Sequence, residues 1–258
     1  MKKPINEVYS KEALKKRKVK RNLKKLVLFM IFMLAVLITV AIKAPFFNIT
    51  TIFVENNKIL ATDEILDKSP LKVGNNIFYF NKNTVVDSIE EIPYIEKVQI
   101  DRQLPKTIVF KVKEREAFFY GIFDEKYYVF DKDMMVLEER KNLEGLNLVN
   151  VTGFDYSKAE VGKAIDDENI RKNEIIKDIS KLLVNNTSSI QFTGINIEDL
   201  LNIKFYYKNM EIRIGTEEKL EEKLNKALNI LKDREDIREG KGYIDVSFNG
   251  NPVVYLEN

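Results

Sequence analysis

Residues Leu26–Ile42 read LVLFMIFMLAVLITVAI, seventeen residues without a charge. As an α-helix the run covers about 25 Å, slightly less than the ~30 Å hydrocarbon layer of a bilayer. The flanking residues that reach or favour the headgroup region are Lys24, Lys25, Lys43, Phe46 and Phe47. Helices of soluble proteins rarely lack a polar face for so long. We therefore predict a membrane-spanning helix, with residues 26–46 as the anchor segment.

Charge is distributed unevenly on the two sides of this run. Residues 1–25 hold eleven lysines and arginines and two glutamates, whereas the remainder holds 31 basic and 38 acidic residues. Because short flanks rich in Lys and Arg stay in the cytoplasm, residues 1–25 are expected inside and Lys43–Asn258 outside. A nucleic-acid patch is the alternative for the basic tail. Its position beside the apolar run favours a topogenic role or contact with anionic lipid.

A cleaved signal peptide is the alternative for the apolar run itself. Secretory signals have an apolar core of about 7–15 residues that ends in a small-residue cleavage site. Here the run is longer, and Lys43 and Pro45 crowd the small-residue candidates Ala41 and Ala44. The pattern favours an uncleaved signal anchor.

The composition removes several classes of enzyme. The chain has no cysteine and no histidine, so a disulfide framework, a thiol nucleophile and a Ser-His-Asp triad are excluded. Paired carboxylates, a Ser–Lys dyad or an all-oxygen metal site would remain for catalysis. Gly and Pro are scarce, which disfavours long flexible linkers.

The acidic candidates do not form a catalytic pattern. Glu218 and Glu222 lie one helical turn apart, but lysines alternate with them, as on a solvated helix face. Asp131 begins a calcium-loop-like stretch, which fails because Val136 and Asn142 occupy the positions that need Gly and Glu. We assign no catalytic, cofactor-binding or metal-binding residue, and we expect a protein that is not an enzyme.

The first part outside the membrane has strands and helices of clear pattern. The predicted elements are a strand at Ile49–Val54, a helix capped by Thr62 that ends near Ser69, a helix capped by Asn83 or Thr84, and strands at Ile95–Arg102 and Thr107–Arg115. Proline at positions 70 and 93 ends the two helices. The order β-α-α-β-β predicts a compact α+β domain with both helices on one face of the sheet.

Four stretches in this part resemble one known family. They are Phe53–Asn57, Gly74–Phe78, Pro93–Val98 and Arg102–Ala117. Together, directly after a single anchor helix, they are similar to the POTRA domain of the FtsQ/DivIB cell-division family. The resemblance implies a POTRA domain over residues 47–117, whose family motif is carried by Arg102, Leu104, Pro105, Glu114 and Arg115.

Residues 118–258 predict a second, mixed α/β domain with a mainly antiparallel sheet. The predicted strands are Phe118–Phe123, Tyr127–Asp131, Met135–Glu138, Asn147–Thr152, Ile190–Ile197, Ile203–Tyr207, Met210–Ile214, Gly242–Phe248 and Pro252–Glu257. The predicted helices are Asn173–Leu183 and Glu217–Lys232, the second capped by Thr216. The last two strands form a hairpin across Asn249-Gly250-Asn251. This end also resembles the FtsQ/DivIB family.

The final hairpin is the candidate binding site. A strand with one unpaired row of backbone groups is a template onto which a partner can add a strand. The candidate residues are Tyr243, Ile244, Asp245, Val246, Phe248, Val253, Val254 and Tyr255. An edge covered by the chain's own C-terminal tail is the alternative.

The resemblance implies a bitopic scaffold of the bacterial divisome, enriched in the cell membrane at the division septum. Its partners would be small bitopic coiled-coil division proteins (FtsB- or DivIC-like and FtsL-like), with contact to membrane lipid and none to nucleic acid. One alternative is a membrane-anchored cell-wall glycan hydrolase that uses paired carboxylates. Another is a POTRA-bearing translocation or sensor component.

Overall fold

The apolar run belongs to one long helix. The computed structural model of the chain describes residues 5–165 and 168–257, so Lys2 and Lys3 of the basic tail lie outside the described residues. Helix α1 (Ile5–Lys43) has 39 residues and is therefore about 58 Å long. Within it, Lys15–Ala41 is long and apolar enough to cross a membrane and is not buried against the rest of the chain. Residues 5–25 of the basic tail thus lie in the same helix as the apolar run.

The first module after α1 has the predicted order of elements. They are β1 (Thr51–Glu55), α2 (Thr62–Lys68), α3 (Lys82–Glu90), β2 (Ile95–Gln103) and β3 (Thr107–Glu114). The sheet order is β1-β3-β2, with β3 parallel to β1 and antiparallel to β2. Its core contains Ile65, Val85, Ile89, Ile108 and Phe110. The α+β fold class and the β-α-α-β-β order are confirmed.

The helix starts in this module differ from the prediction. Asn81 caps α3, because its side-chain oxygen accepts hydrogen bonds from the N–H groups of Asn83 and Thr84 at 3.0 and 3.4 Å. Asn83 and Thr84, which were predicted as caps, therefore donate their N–H groups to the capping residue Asn81. Thr62 is the first residue of α2 and not its cap, since Ala61 holds the extended position before the helix.

The second module is built on one sheet of nine strands. Its elements are β4 (Phe119–Phe123), β5 (Lys126–Phe130), β6 (Val136–Arg140), β7 (Val149–Thr152), α4 (Ile170–Val184), β8 (Gly194–Asn196), β9 (Ile203–Tyr207), β10 (Met210–Gly215), α5 (Leu220–Asp233), α6 (Glu235–Arg238), β11 (Gly242–Asp245) and β12 (Val253–Leu256). The strand order is β12-β11-β10-β9-β8-β7-β4-β5-β6. The pairs β4–β7, β7–β8 and β10–β11 are parallel, and the other five pairs are antiparallel. The sheet is therefore mixed and mainly antiparallel, as predicted.

Helices cover one face of this sheet. Ile176 of α4, Leu224 of α5 and Ile237 of α6 share a core with Phe205 and other inward residues of the strands. Side chains alternate between the two faces of a strand, so the polar positions of β9 and β10 lie on the opposite face. That open face reaches the edge formed by β12.

Several helix and strand boundaries differ from the prediction here. Helix α4 begins at Ile170 and not at Asn173, because Asn169 caps it, and β11 ends at Asp245 and not at Phe248.

The apolar run Ile190–Ile197 forms a strand only over Gly194–Asn196. Ile190 and Phe192 pack into the core before it, and Thr193 bonds to Tyr206 and Asn150 of the neighbouring strands without being part of the strand itself. Helix α5 begins at Leu220, after Lys219 with a left-handed φ of 54°. Thr216 therefore does not cap it, and the Thr216 carbonyl accepts a hydrogen bond from Lys223 Nζ at 3.0 Å.

The two modules touch through polar side chains. Arg115 Nη1 lies 2.8 Å from Asp131 Oδ2, and the Tyr94 hydroxyl donates to Glu138 Oε1 at 2.9 Å. Burial raises the pKa of Tyr94 far above its ordinary value, and the neighbouring Glu138 carboxylate raises it further. Tyr94 therefore stays a neutral hydrogen-bond donor at this junction.

Candidate functional site

The candidate site is the C-terminal hairpin, where β12 forms an edge of the nine-stranded sheet. Strand β11 pairs in parallel with β10 and antiparallel with β12. Gly242 permits the close approach of the last two strands, since a Cβ there would lie 2.0 Å from the Tyr255 carbonyl oxygen. Among the described residues, no strand pairs with the outer side of β12.

The ladder determines which backbone groups of β12 point outward. Glu257 N donates to the Lys241 carbonyl at 2.8 Å, and β11 and β12 are in antiparallel register. Along an antiparallel edge strand, residues whose N–H and C=O groups bond to the neighbouring strand alternate with residues whose N–H and C=O groups point outward. Tyr255 therefore bonds to β11, while Val254 and Leu256 direct their N–H and C=O groups away from the sheet.

The predicted hairpin residues divide between the core and the surface. Ile244 and Val246 are buried in the core beneath the helices, so they support the sheet and offer no surface to a partner. The exposed large side chains are Phe248, Val253, Val254 and Tyr255. Tyr243 and Asp245 are partly exposed.

Tyr243 and Tyr255 face each other across the hairpin on the open face. They are register partners, and their rings stack with centroids 5.4 Å apart. The Arg213 guanidinium lies over the Tyr243 ring, 3.7 Å from its centroid. This contact joins the hairpin to β10.

The row of interacting side chains continues across the sheet. Arg213 Nε donates to Glu211 Oε1 at 2.6 Å, and Lys204 Nζ donates to Glu211 Oε2 at 3.2 Å. Burial alone would raise the pKa of Glu211, but the hydrogen bonds from Arg213 and Lys204 outweigh it and hold that pKa below its usual value. We call the five residues Lys204, Glu211, Arg213, Tyr243 and Tyr255 the open-face row. The row spans β9 to β12 and ends at the free edge.

Sequence reasoning missed Lys204, Glu211 and Arg213 as parts of this site. The signal that could have found them is the strict alternation in β9 and β10, where these residues interleave with buried isoleucine and phenylalanine. That alternation places them on one face but does not tell which strand lies beside β10. The parallel pairing of β10 with β11 brings Arg213 to Tyr243.

The end of β11 is fixed locally by Asp245. Its Oδ1 accepts hydrogen bonds from Ser247 N at 2.9 Å and Ser247 Oγ at 2.6 Å. Through these two bonds Ser247 turns the chain out of the strand. The Asp245 carboxylate is therefore already hydrogen-bonded to Ser247 of the same chain.

The POTRA motif residues are used mainly inside the first module. Arg102 Nε donates to the Ile77 carbonyl at 2.9 Å. Glu114 accepts hydrogen bonds from three successive backbone N–H groups of residues 58–60 at 2.8, 2.9 and 3.0 Å. Leu104 is exposed in the turn that contains Pro105, and Arg115 bridges to the second module through Asp131.

Three carboxylates at the cavity between the two modules accept hydrogen bonds from protein donors. A cavity of about 250 Å³ at the module junction is lined by Glu96, Glu114 and Asp131 among others. Glu96 accepts from Lys113 Nζ at 2.6 Å, and this bond lowers its pKa. Within residues 5–165 and 168–257, no group of three or more acidic side chains is arranged to hold a metal ion.

Comparison with known proteins agrees with this architecture. A profile of the FtsQ-type POTRA domain matches residues 47–115. Cell division protein DivIB of Clostridium botulinum strain Hall is 41% identical over 246 residues, covering 95% of this chain and 96% of the relative. The chain belongs to the DivIB/FtsQ family of cell-division proteins. The resemblance seen in the sequence motifs is confirmed.

Further members of the DivIB/FtsQ family show the same relationship over much of the chain. DivIB of Clostridium tetani is 41% identical over 231 residues, covering 89% of this chain and 87% of the relative. DivIB of Bacillus subtilis is 27% identical over 193 residues, covering 74% and 68%. Together with the apolar α1, family membership makes this chain a single-pass membrane protein of cell division.

Proposed function

We propose that this DivIB-like chain is a non-enzymatic scaffold of the divisome. Residues 1–25 lie in the cytoplasm, α1 crosses the cell membrane, and both modules stand outside the cell membrane at the division septum. The excess of basic residues before the apolar run and of acidic residues after it supports this orientation. No residue is assigned a catalytic role, and the candidate site is a protein-binding edge.

The observation that carries the proposal is the outer side of β12, with which no strand of residues 5–165 and 168–257 pairs. An extended segment of a partner adds to this strand through the outward N–H and C=O groups of Val254 and Leu256. Tyr255 and the rest of the open-face row, together with exposed Phe248, supply side-chain contacts beside that added strand. The partner class is the small bitopic coiled-coil division protein, DivIC-like or FtsL-like.

Proline at position 254 tests strand addition directly. Val254→Pro removes the outward N–H but takes no hydrogen bond from the β11–β12 ladder, and proline is tolerated at such edge positions. Val254→Thr keeps the N–H and nearly the same shape, so it is the matched control. Val254→Asp changes the side chain and adds a charge at the same edge.

The measurement is binding of the purified full-length variants to the extracytoplasmic part of the DivIC-like protein. We expect Val254→Pro to weaken binding about tenfold, the effect of one lost hydrogen bond with its partner group left unpaired. Val254→Asp should also weaken binding, while thermal unfolding of each variant stays close to that of the parent chain. Equal binding by the proline and threonine variants would reject strand addition at β12.

The cellular location has its own test. A fluorescent fusion to the full chain is expected to form a ring at midcell in dividing cells. Uniform membrane fluorescence would contradict septal enrichment. Protection of the C-terminal modules from protease added to intact cells would contradict the proposed orientation.

A further inference from the structure

The loop between α2 and α3 folds back onto the end of the membrane helix. The Asn76 side-chain amide donates to the Ala41 carbonyl of α1 at 3.0 Å. Ile77 N donates to the Phe47 carbonyl at 2.9 Å. Residues 76 and 77 are thus attached both to the last turn of α1 and to the segment that follows it.

This attachment matters because helix ends leave carbonyl groups without partners. The last four carbonyls of a helix have no intrahelical donor, and such groups are costly where lipid excludes water. Asn76 supplies a donor to one of them from far along the chain. Its Oδ1 also accepts from Phe78 N at 2.9 Å, which holds the loop in a fixed turn.

The turn places aromatic side chains of the loop beside those that follow α1. The rings of Phe46 and Phe47 are 5.1 Å apart between centroids, and those of Phe47 and Phe78 are 5.2 Å apart. Phe47 is partly buried at the base of this group, whereas Phe46, Phe78 and Tyr79 are 58%, 43% and 75% exposed. We call these three exposed residues the membrane-proximal aromatic patch.

Positive charge accompanies the patch. Lys106 Nζ lies 5.5 Å from the centroid of the Phe46 ring, and Lys43 is exposed at the last residue of α1. Tyrosine is enriched at the membrane interface, phenylalanine buries at the boundary between headgroups and acyl chains, and lysine side chains beside them reach to the phosphates. The patch is continuous with a helix end that must itself lie at the membrane surface.

We propose that the membrane-proximal aromatic patch docks into the headgroup region of the leaflet where α1 emerges. The first module is then held against the bilayer at two points, the helix and the loop around Phe78 and Tyr79. The occupant is the lipid surface, because Asn76 fixes the loop at the depth of the last turn of α1. This proposal rests on the membrane span and uses neither the hairpin nor its protein partner.

The absence of tryptophan from the chain makes the test direct. Each single variant Phe46→Trp, Phe78→Trp and Phe248→Trp carries one fluorescent reporter in the full-length protein. Phe248 is the matched control, since its exposure of 44% equals that of Phe78 within one per cent and it lies in the C-terminal hairpin loop. The proteins are reconstituted into phosphatidylglycerol–phosphatidylcholine vesicles, with or without lipid brominated near the headgroup end of the acyl chains.

We expect brominated lipid to quench tryptophan at position 78 to an extent comparable with position 46, and to leave position 248 unquenched. Tyr79→Trp gives a second reporter of the same loop, so poor folding of one variant does not leave the question open. Quenching at 46 without quenching at 78 and 79 would overturn the proposal. So would equal quenching at 78 and 248, or a response at 78 to added partner protein but not to brominated lipid.

Discussion

Arg115 and Asp131 form a charged contact between the two modules, with 2.8 Å between Nη1 and Oδ2. The Asp131 side chain is 3% exposed and that of Arg115 16%. The second Asp131 oxygen accepts from the backbone N–H groups of Asp133 and Met135, both at 2.9 Å. One carboxylate therefore fixes both the turn after β5 and the position of the first module.

Replacing Asp131 is expected to destabilise the junction strongly. Asp131→Ala leaves a largely buried guanidinium without its counter-charge, which typically costs about 3–5 kcal/mol. Denaturant unfolding of the full chain in detergent measures the loss. Glu139→Ala, which breaks the exposed pair with Lys126, is the control and should leave the midpoint unchanged. Equal effects of the two substitutions would contradict a special role for Asp131.

Glu114 is expected to hold the loop after β1 through its three backbone hydrogen bonds. Glu114→Gln keeps the size but replaces one accepting oxygen with a donor, so at least one N–H of residues 58–60 loses its partner. We expect a loss of about 1–3 kcal/mol in the free energy of unfolding. Glu116→Gln is the matched control, since Glu116 is exposed two residues away. Faster amide exchange confined to residues 58–60 would identify the cause.

Glu211 is expected to make the open-face row sensitive to acid. Its folded-state pKa lies below its ordinary value because Arg213 and Lys204 donate to it against the opposing effect of burial. The unfolded chain therefore binds this proton more readily, and the stabilisation, complete above the usual Glu pKa of about 4.3, is lost as the pH falls below it. Glu211→Gln should reduce the fall in unfolding free energy between neutral and acid pH. An unchanged pH dependence would contradict this role.

We expect the backbone amides of β12 to exchange at alternating rates, because only every second residue bonds to β11. In the unbound protein, the N–H of Tyr255 should be protected by the ladder, while those of Val254 and Leu256 should exchange quickly. Adding the DivIC-like ectodomain should slow exchange at Val254 and Leu256 in particular. Amide exchange measured by NMR or mass spectrometry distinguishes strand addition from docking through side chains alone. Docking through side chains would leave the exchange of the Val254 and Leu256 amides fast.

The sequence predicted those elements whose pattern is local. The apolar run, the alternation in strands such as β3 and the proline at the end of each helix of the first module are readable within a short window. Helix starts were less well predicted, since Asn81, Asn83 and Thr84 are all residues that can cap a helix. Only the backbone conformation at Asn81 decides which of them does so.

The C-terminal hairpin was predicted from the sequence, but the division of its residues between core and surface was not. The hairpin and its turn follow from the residues around Gly250, but the burial of Ile244 and Val246 depends on helices that arrive from elsewhere in the chain. The open-face row likewise depends on the parallel pairing of β10 with β11. Strand order depends on packing between distant parts of the chain. The alternation of polar and apolar residues within one strand does not show which strand will lie beside it.

The sequence by itself determined the membrane span, the order of elements in the first module and the closing hairpin, because each follows from the polarity and backbone preferences of neighbouring residues. Only the tertiary structure decided that β12 is the edge strand of the described sheet, that Arg213 meets Tyr243, and that Asn76 reaches Ala41. These relationships join residues distant in the chain. They exist because a folded core fixes where each surface group lies, which no local pattern specifies.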